Sequence, residues 1–127
     1  MAIKYKVIQR GEPGVVGGGT KKHYASIVYK GESTIEDITK EVEKISTVSG
    51  ADIRAVLYAV VDVIVGKLEN SEIVRVGDLG SLKASIGSKG MDTEAAVNAS
   101  SITSNKILFD PGPKLKTMLK AAKYQKA

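Results

Sequence analysis

Between Ser49 and Asn70 the chain carries more apolar side chains than one face of a helix can hold. Ile53, Val56, Leu57, Val60, Val61, Val63, Ile64, Val65 and Leu68 lie between Ala51 and Leu68. Wound as a helix, they cover well over half its circumference. The centre, VVDVIV, is rich in β-branched residues and has the composition of a strand. Length and capping favour a helix instead, because Ser49 stands at the cap position with Asp52 three residues on. A helix apolar nearly all round must be buried on more than one side, and a single small domain offers one. The surplus surface therefore predicts a partner chain, most simply an identical one.

The flanking segments read as a small mixed fold. Ser33-Thr34-Ile35-Glu36 is a capping box that opens a first helix over Thr34 to Ser46. In that helix Ile35, Ile38, Val42 and Ile45 form one apolar stripe, and Glu36 and Asp37 sit where the helix dipole favours anions. After Asn70, strands are expected over Glu72 to Val76 and Ser81 to Ile86, around a Gly77-Asp78-Leu79-Gly80 turn. Leu82, Ala84 and Ile86 alternate with Ser81, Lys83 and Ser85, giving a core face and a wet face. Gly87 to Ser104 is small and polar, and reads as an extended β-arm. Lys106 to Phe109 returns to the core and Asp110 to Pro113 turns the chain. A third helix, Lys114 to about Tyr124, puts Leu115, Met118, Leu119 and Ala122 inward and Lys116, Lys120 and Lys123 outward.

The first thirty-one residues are a segment apart. Residues 2 to 10 alternate as a strand, with Ile3, Tyr5 and Val7 opposite Lys4 and Lys6. Gly11 to Thr20 holds five glycines and a proline and makes a loop, and Lys21 to Lys30 reads as the returning strand of a hairpin. The loop is no phosphate cradle of the P-loop kind. That motif needs Lys and then Ser or Thr after its last glycine, and here Gly19 is followed by Thr20 and Lys21. Two parts are expected: a basic β-hairpin over residues 1–31 and the main domain over 32–127.

Net charge is +5, unevenly spread. Residues 1–31 and 73–127 each carry +5, and residues 32–72 carry −5, an asymmetry suited to presenting a face to a polyanion. His23 is the only histidine and there is no cysteine, so no histidine-centred triad, thiolate chemistry or Cys/His metal site can be assembled in one chain. No enzyme, metal, cofactor or small-molecule substrate is expected. Nothing reads as a signal peptide or membrane span, which predicts a soluble, cytoplasmic protein.

This order of elements resembles the HU and integration host factor family, the histone-like DNA-bending proteins of bacteria. The resemblance covers roughly Ile35 to Ala122. Its best motif is Leu79-Gly80-Ser81-Leu82, where the family has Phe-Gly-Thr-Phe between its first two strands. The second is Phe109-Asp110-Pro111-Gly112 leading to Leu115-Lys116, where the family has Phe-Lys-x-Gly ending in Leu-Lys. The chain looks more like the longer HU-like proteins of Bacteroides-type bacteria, which carry a similar leader and a similar Phe-x-Pro-Gly turn. The resemblance implies an α+β fold: two helices, a three-stranded sheet with a β-arm and a C-terminal helix, intertwined as a homodimer, here with an N-terminal hairpin added. It also implies a nucleoid-associated, architectural protein that condenses or bends double-stranded DNA through phosphate contacts with little sequence preference.

Candidate contacts are Arg75, Lys83, Lys89, Lys106, Lys114 and Lys116 from the body, with Lys4, Lys6, Lys21 and Lys22 from the leader. The sequence also departs from the family pattern. Family arms are rich in Arg and end in a proline wedge, whereas Gly87 to Ser104 has Lys89 as its one cation and no proline. Two family Lys positions near the third helix are Asp110 and Pro113. Weak binding and little bending are therefore expected. The alternative is an HU-fold dimerisation and protein-interaction module with little DNA affinity.

Overall fold

The computed structural model describes all 127 residues. Its elements are β1 (Ile3–Arg10), β2 (Lys22–Ile27), α1 (Ile35–Ile45), α2 (Gly50–Glu69), β3 (Val74–Val76), β4 (Gly80–Ser88), β5 (Ile102–Pro111), α3 (Pro113–Lys120) and β6 (Tyr124–Lys126). The architecture is mixed α+β. It divides into one unit of residues 1–34 with 119–127 and another of residues 35–118, and each unit contains a three-stranded sheet.

In the first unit the alternation of residues 3 to 10 does form a strand. It pairs antiparallel with β2, from Tyr5↔Ile27 to Arg10↔Lys22. The second strand is shorter than its sequence pattern, although Val28 N–H still donates to the Lys4 carbonyl at 2.8 Å. The glycine-rich tip is a closed turn: Gly17 and Gly18 adopt φ of 78° and 83°, and Glu12 N–H reaches the Gly18 carbonyl. The other edge of β1 is filled by β6, which runs parallel to it from Ile3↔Tyr124 to Tyr5↔Lys126. This corrects the expectation of a helix reaching Tyr124. The helix stops at Lys120 despite Ala121 and Ala122, because the open edge of β1 gives the backbone of Tyr124–Lys126 its hydrogen bonds.

In the second unit, Ser49 caps α2 as its sequence predicts, accepting from Asp52 N–H at 3.3 Å. Helix α1 starts at Ile35, which puts Thr34 rather than Ser33 at the capping position. Its covered face also differs from the expected stripe. Ile35, Thr39 and Val42 are the sheltered residues, while Ile38 and Ile45 are 46% and 85% exposed. Thr39 is fully buried beside Gly50, and its hydroxyl donates to the Ile35 carbonyl at 2.6 Å. On α2 one stripe, Ile53, Leu57, Ile64 and Leu68, faces its own chain. The remaining apolar residues stay open, with Val56, Val61 and Val63 at 59%, 53% and 60% exposure. Ile53, 7% exposed, is the only buried hydrophobic side chain.

Helix α2 ends on a Schellman-type stop. Ser71 N–H donates to the Leu68 carbonyl and Glu72 N–H to the Lys67 carbonyl, both at 3.1 Å, with Ser71 at φ 62°. The β3-β4-β5 sheet follows, antiparallel throughout. Gly80 and Gly112 are required where the β3–β4 turn meets the end of β5. A Cβ on Gly80 (φ 141°) would strike the Asp110 carbonyl, and one on Gly112 would strike the Asp78 carbonyl. The two motifs that carry the family resemblance are therefore one packing contact.

The β4–β5 ladder continues to Gly87↔Ser104 and Ser88↔Ile102, so a two-stranded arm does leave the sheet. Its end is folded back rather than extended. Two 3-10 turns, Glu94–Ala96 and Ala99–Ser101, are held by Asn98 accepting from Ser100 N–H at 2.9 Å, and Lys89 N–H closes onto the Ser101 carbonyl. Small polar residues allow this because each can bond the local backbone.

Candidate nucleic-acid interface

Alternation along a strand sends successive side chains to opposite faces, and in a paired sheet directly opposed residues share a face. In the β3-β4-β5 sheet the register Arg75↔Ser81, Lys83↔Leu108 and Ser85↔Lys106 therefore gathers Arg75, Lys83 and Lys106 on one face. The opposite face holds Val74, Leu82, Ala84, Ile107 and Phe109. That apolar face is not a closed core in one chain: Phe109 and Ile107 are 48% and 55% exposed, contrary to the expected return of Lys106 to Phe109 into the core.

The cationic face is shallow and mixed. A depression of about 340 Å³ is lined by Arg75, Ser81, Lys83, Leu108 and Asp110, and also by Ile73 and Phe109. Asp110 brings a negative charge into this group and lies 3.9 Å from the Lys116 ammonium, with both side chains more than half exposed. Such a pair is worth little in energy, but it lowers the local positive potential. Lys114 sits exposed in the first turn of α3, beyond Pro113 at a position where proline starts a helix well. Lys89 stands alone at the end of the arm. The structure thus groups Arg75, Lys83 and Lys106, sets Lys116 against Asp110, and leaves Lys89 and Lys114 apart.

The leader residues are better grouped. Lys4 and Lys6 share a face of the β2-β1-β6 sheet with Lys22, and Lys21 precedes β2 in the exposed loop. Arg10, not singled out by the sequence reading, belongs to the same face, directly opposite Lys22. Its guanidinium lies over the Tyr24 ring, 5.2 Å from the centroid. The signal was present, since Lys4, Lys6 and Arg10 are all even-numbered in one alternating strand.

Charge separates by unit. Residues 1–34 and 119–127 hold nine Lys and Arg against two acids, a net +7. Residues 35–118 hold ten against twelve, a net −2. No cluster of His, Cys, Asp or Glu could hold a metal, and no helix is long and apolar enough to cross a membrane.

Comparison with known proteins bears on nearly the whole chain. The family described as "HU domain fused to wHTH, Ig, or Glycine-rich motif" (HU-HIG) matches over residues 1–126. A solved protein of Bacteroides vulgatus, assigned as a bacterial DNA-binding protein, superposes with a TM-score of 0.70 at 15% identity, over 98% of this chain. The chain spans 48% of that protein's length. No curated sequence matches significantly.

Proposed function

From the premise that this chain belongs to the HU-HIG family, we propose that it is an architectural, histone-like DNA-binding protein of the nucleoid, acting as a homodimer. The observation that carries this reading is the gathering of cations on one face of each sheet: Arg75, Lys83 and Lys106 on one, Lys4, Lys6, Arg10 and Lys22 on the other, with Lys126 alone on the opposite face beside Tyr5. Cations spread along a sheet face, with only open depressions between them, suit a phosphate backbone. Lys21, Lys89, Lys114 and Lys116 add exposed charge around them. Contacts of this kind neutralise phosphates and release counterions, giving salt-sensitive binding with weak sequence preference. The arm has no proline wedge, so bending is small.

Dimerisation rests on surface. A folded monomer of 13.4 kDa exposes about 6,500 Å², or about 7,700 Å² if its two units are counted as separate bodies. This chain exposes 10634 Å². The excess of roughly 3,000 Å² is on the scale of an obligate interface. Its apolar part includes a groove of about 290 Å³ lined by Val56, Ala59, Val60, Val63, Ile64 and Val76. A second copy of α2 is the occupant that this helix's own composition implies. Within the family we place the chain beside the longer HU-like proteins of Bacteroides-type bacteria.

A second reading, an HU-fold dimerisation and protein-interaction module with little DNA affinity, is favoured by one observation: the HU-like unit carries a net −2. A gel shift with a duplex at two salt concentrations separates the readings. Retarded complexes that dissolve at higher salt support the first, and no complex at the lower salt supports the second.

A further inference from the structure

The two sheets differ in what surrounds their cations. In the β3-β4-β5 unit Asp110 shares the basic face and acids outnumber bases over the whole unit. In the β2-β1-β6 unit the basic face has no acid on any strand: Lys4 is opposite Gln125, Lys6 opposite Ser26, Ile8 opposite Tyr24 and Arg10 opposite Lys22. Like charges directly opposed on a sheet destabilise it, so the Arg10–Lys22 pair costs the fold stability. The compensation is partial. Arg10 lies over Tyr24, and Lys22 meets Glu12 of the tip turn at 3.6 Å, with 61% of the Lys22 side chain exposed. Lys4 and Lys6 make no ion pair. A local rule broken without full compensation marks a surface kept for something outside the fold.

The geometry fits an extended polyanion. Alternate residues of a strand are about 6.6 Å apart, so Lys4 to Arg10 spans about 20 Å, the rise of roughly six base pairs. Tyr24 lies among the cations and offers a hydroxyl donor beside them.

We infer that the sheet of residues 1–34 and 119–127, and not the HU-like unit, is the chain's main phosphate-binding element. It lays the Lys4, Lys6, Arg10 and Lys22 face along the backbone of duplex DNA, while the HU-like unit serves assembly. The inference rests on the proposed DNA-binding reading and assigns where that binding resides.

The test uses the full chain and fluorescence anisotropy with a labelled duplex across a salt series. Three proteins are compared: wild type, a leader variant (Lys4→Ala, Lys6→Ala, Arg10→Ala, Lys22→Ala) and a body variant (Lys83→Ala, Lys89→Ala, Lys106→Ala). Circular dichroism and light scattering verify fold and mass. Should the quadruple variant not fold, Lys4→Gln with Lys6→Gln takes its place, because neither lysine has an ion-pair partner to lose. The expected result is that the leader variant loses about tenfold or more in affinity. Its log–log salt slope should flatten by about 0.9 for each contact removed. The body variant should stay within about threefold of wild type. The inference is overturned, with the DNA-binding reading intact, if wild type binds, the body variant loses affinity and the leader variant does not. If wild type binds no duplex at low salt, both readings fall together. Capture of anionic lipid vesicles by wild type, with no duplex binding, would instead assign the basic face to a membrane surface and also overturn the inference.

Discussion

At Ser71 a non-glycine residue sits in the left-handed region, φ 62°, to complete the stop of α2. The position usually holds glycine, because a Cβ there costs about 1 kcal/mol. What holds serine in place is the pair of reversed hydrogen bonds, with the exposed Lys67–Glu72 ion pair at 3.9 Å adding little. Ser71→Gly should therefore raise stability by about 0.5–1 kcal/mol, seen as a higher denaturant midpoint with unchanged slope. Gly80→Ala should act the other way. Its methyl would strike the Asp110 carbonyl at a backbone φ of 141°, and a loss of about 3 kcal/mol or more is expected in the same measurement. The sequence indicated both glycine motifs, but not that Gly80 and Gly112 face each other. Contact between residues thirty-two positions apart leaves no local pattern to read.

Among the elements, α2 was the most legible, since its cap at Ser49 and its all-round apolar surface follow from residue types at fixed spacing. Strand β6 was illegible for the opposite reason. Tyr124-Gln125-Lys126 has no alternation to detect, and it is a strand only because β1 offers an unpaired edge. The folded-back arm end was missed because small polar residues specify backbone hydrogen bonds rather than a period. The expected stripe of α1 includes Ile38 and Ile45, which are exposed in one chain, and omits Thr39, a polar residue whose burial is tolerated because its hydroxyl bonds the Ile35 carbonyl. For α2 a sharp contrast follows. Val63 is 60% exposed in one chain, and a truly exposed site would tolerate Val63→Asp within about 0.5 kcal/mol. If α2 is the interface, the same change buries an unpaired carboxylate. The dimer should then dissociate or unfold, with light scattering showing loss of the dimer mass. A dimer that is unaffected by Val63→Asp would place the interface elsewhere.

The whole molecule divides into a unit of residues 35–118 with a net −2 and a basic sheet unit of residues 1–34 and 119–127 with a net +7, to which we assign assembly and phosphate binding respectively. Composition alone placed basic residues at both ends of the chain. It did not show that the last nine residues join the first thirty-four, which is what concentrates the charge. The central claim, a dimer that holds duplex DNA by its phosphates, is tested most directly by the salt dependence of binding to two unrelated duplexes of equal length. Affinity should fall linearly in log–log form with the same slope for both, at about 0.9 per phosphate contact. No binding at low salt, or a tenfold preference for one duplex that survives added salt, would contradict it.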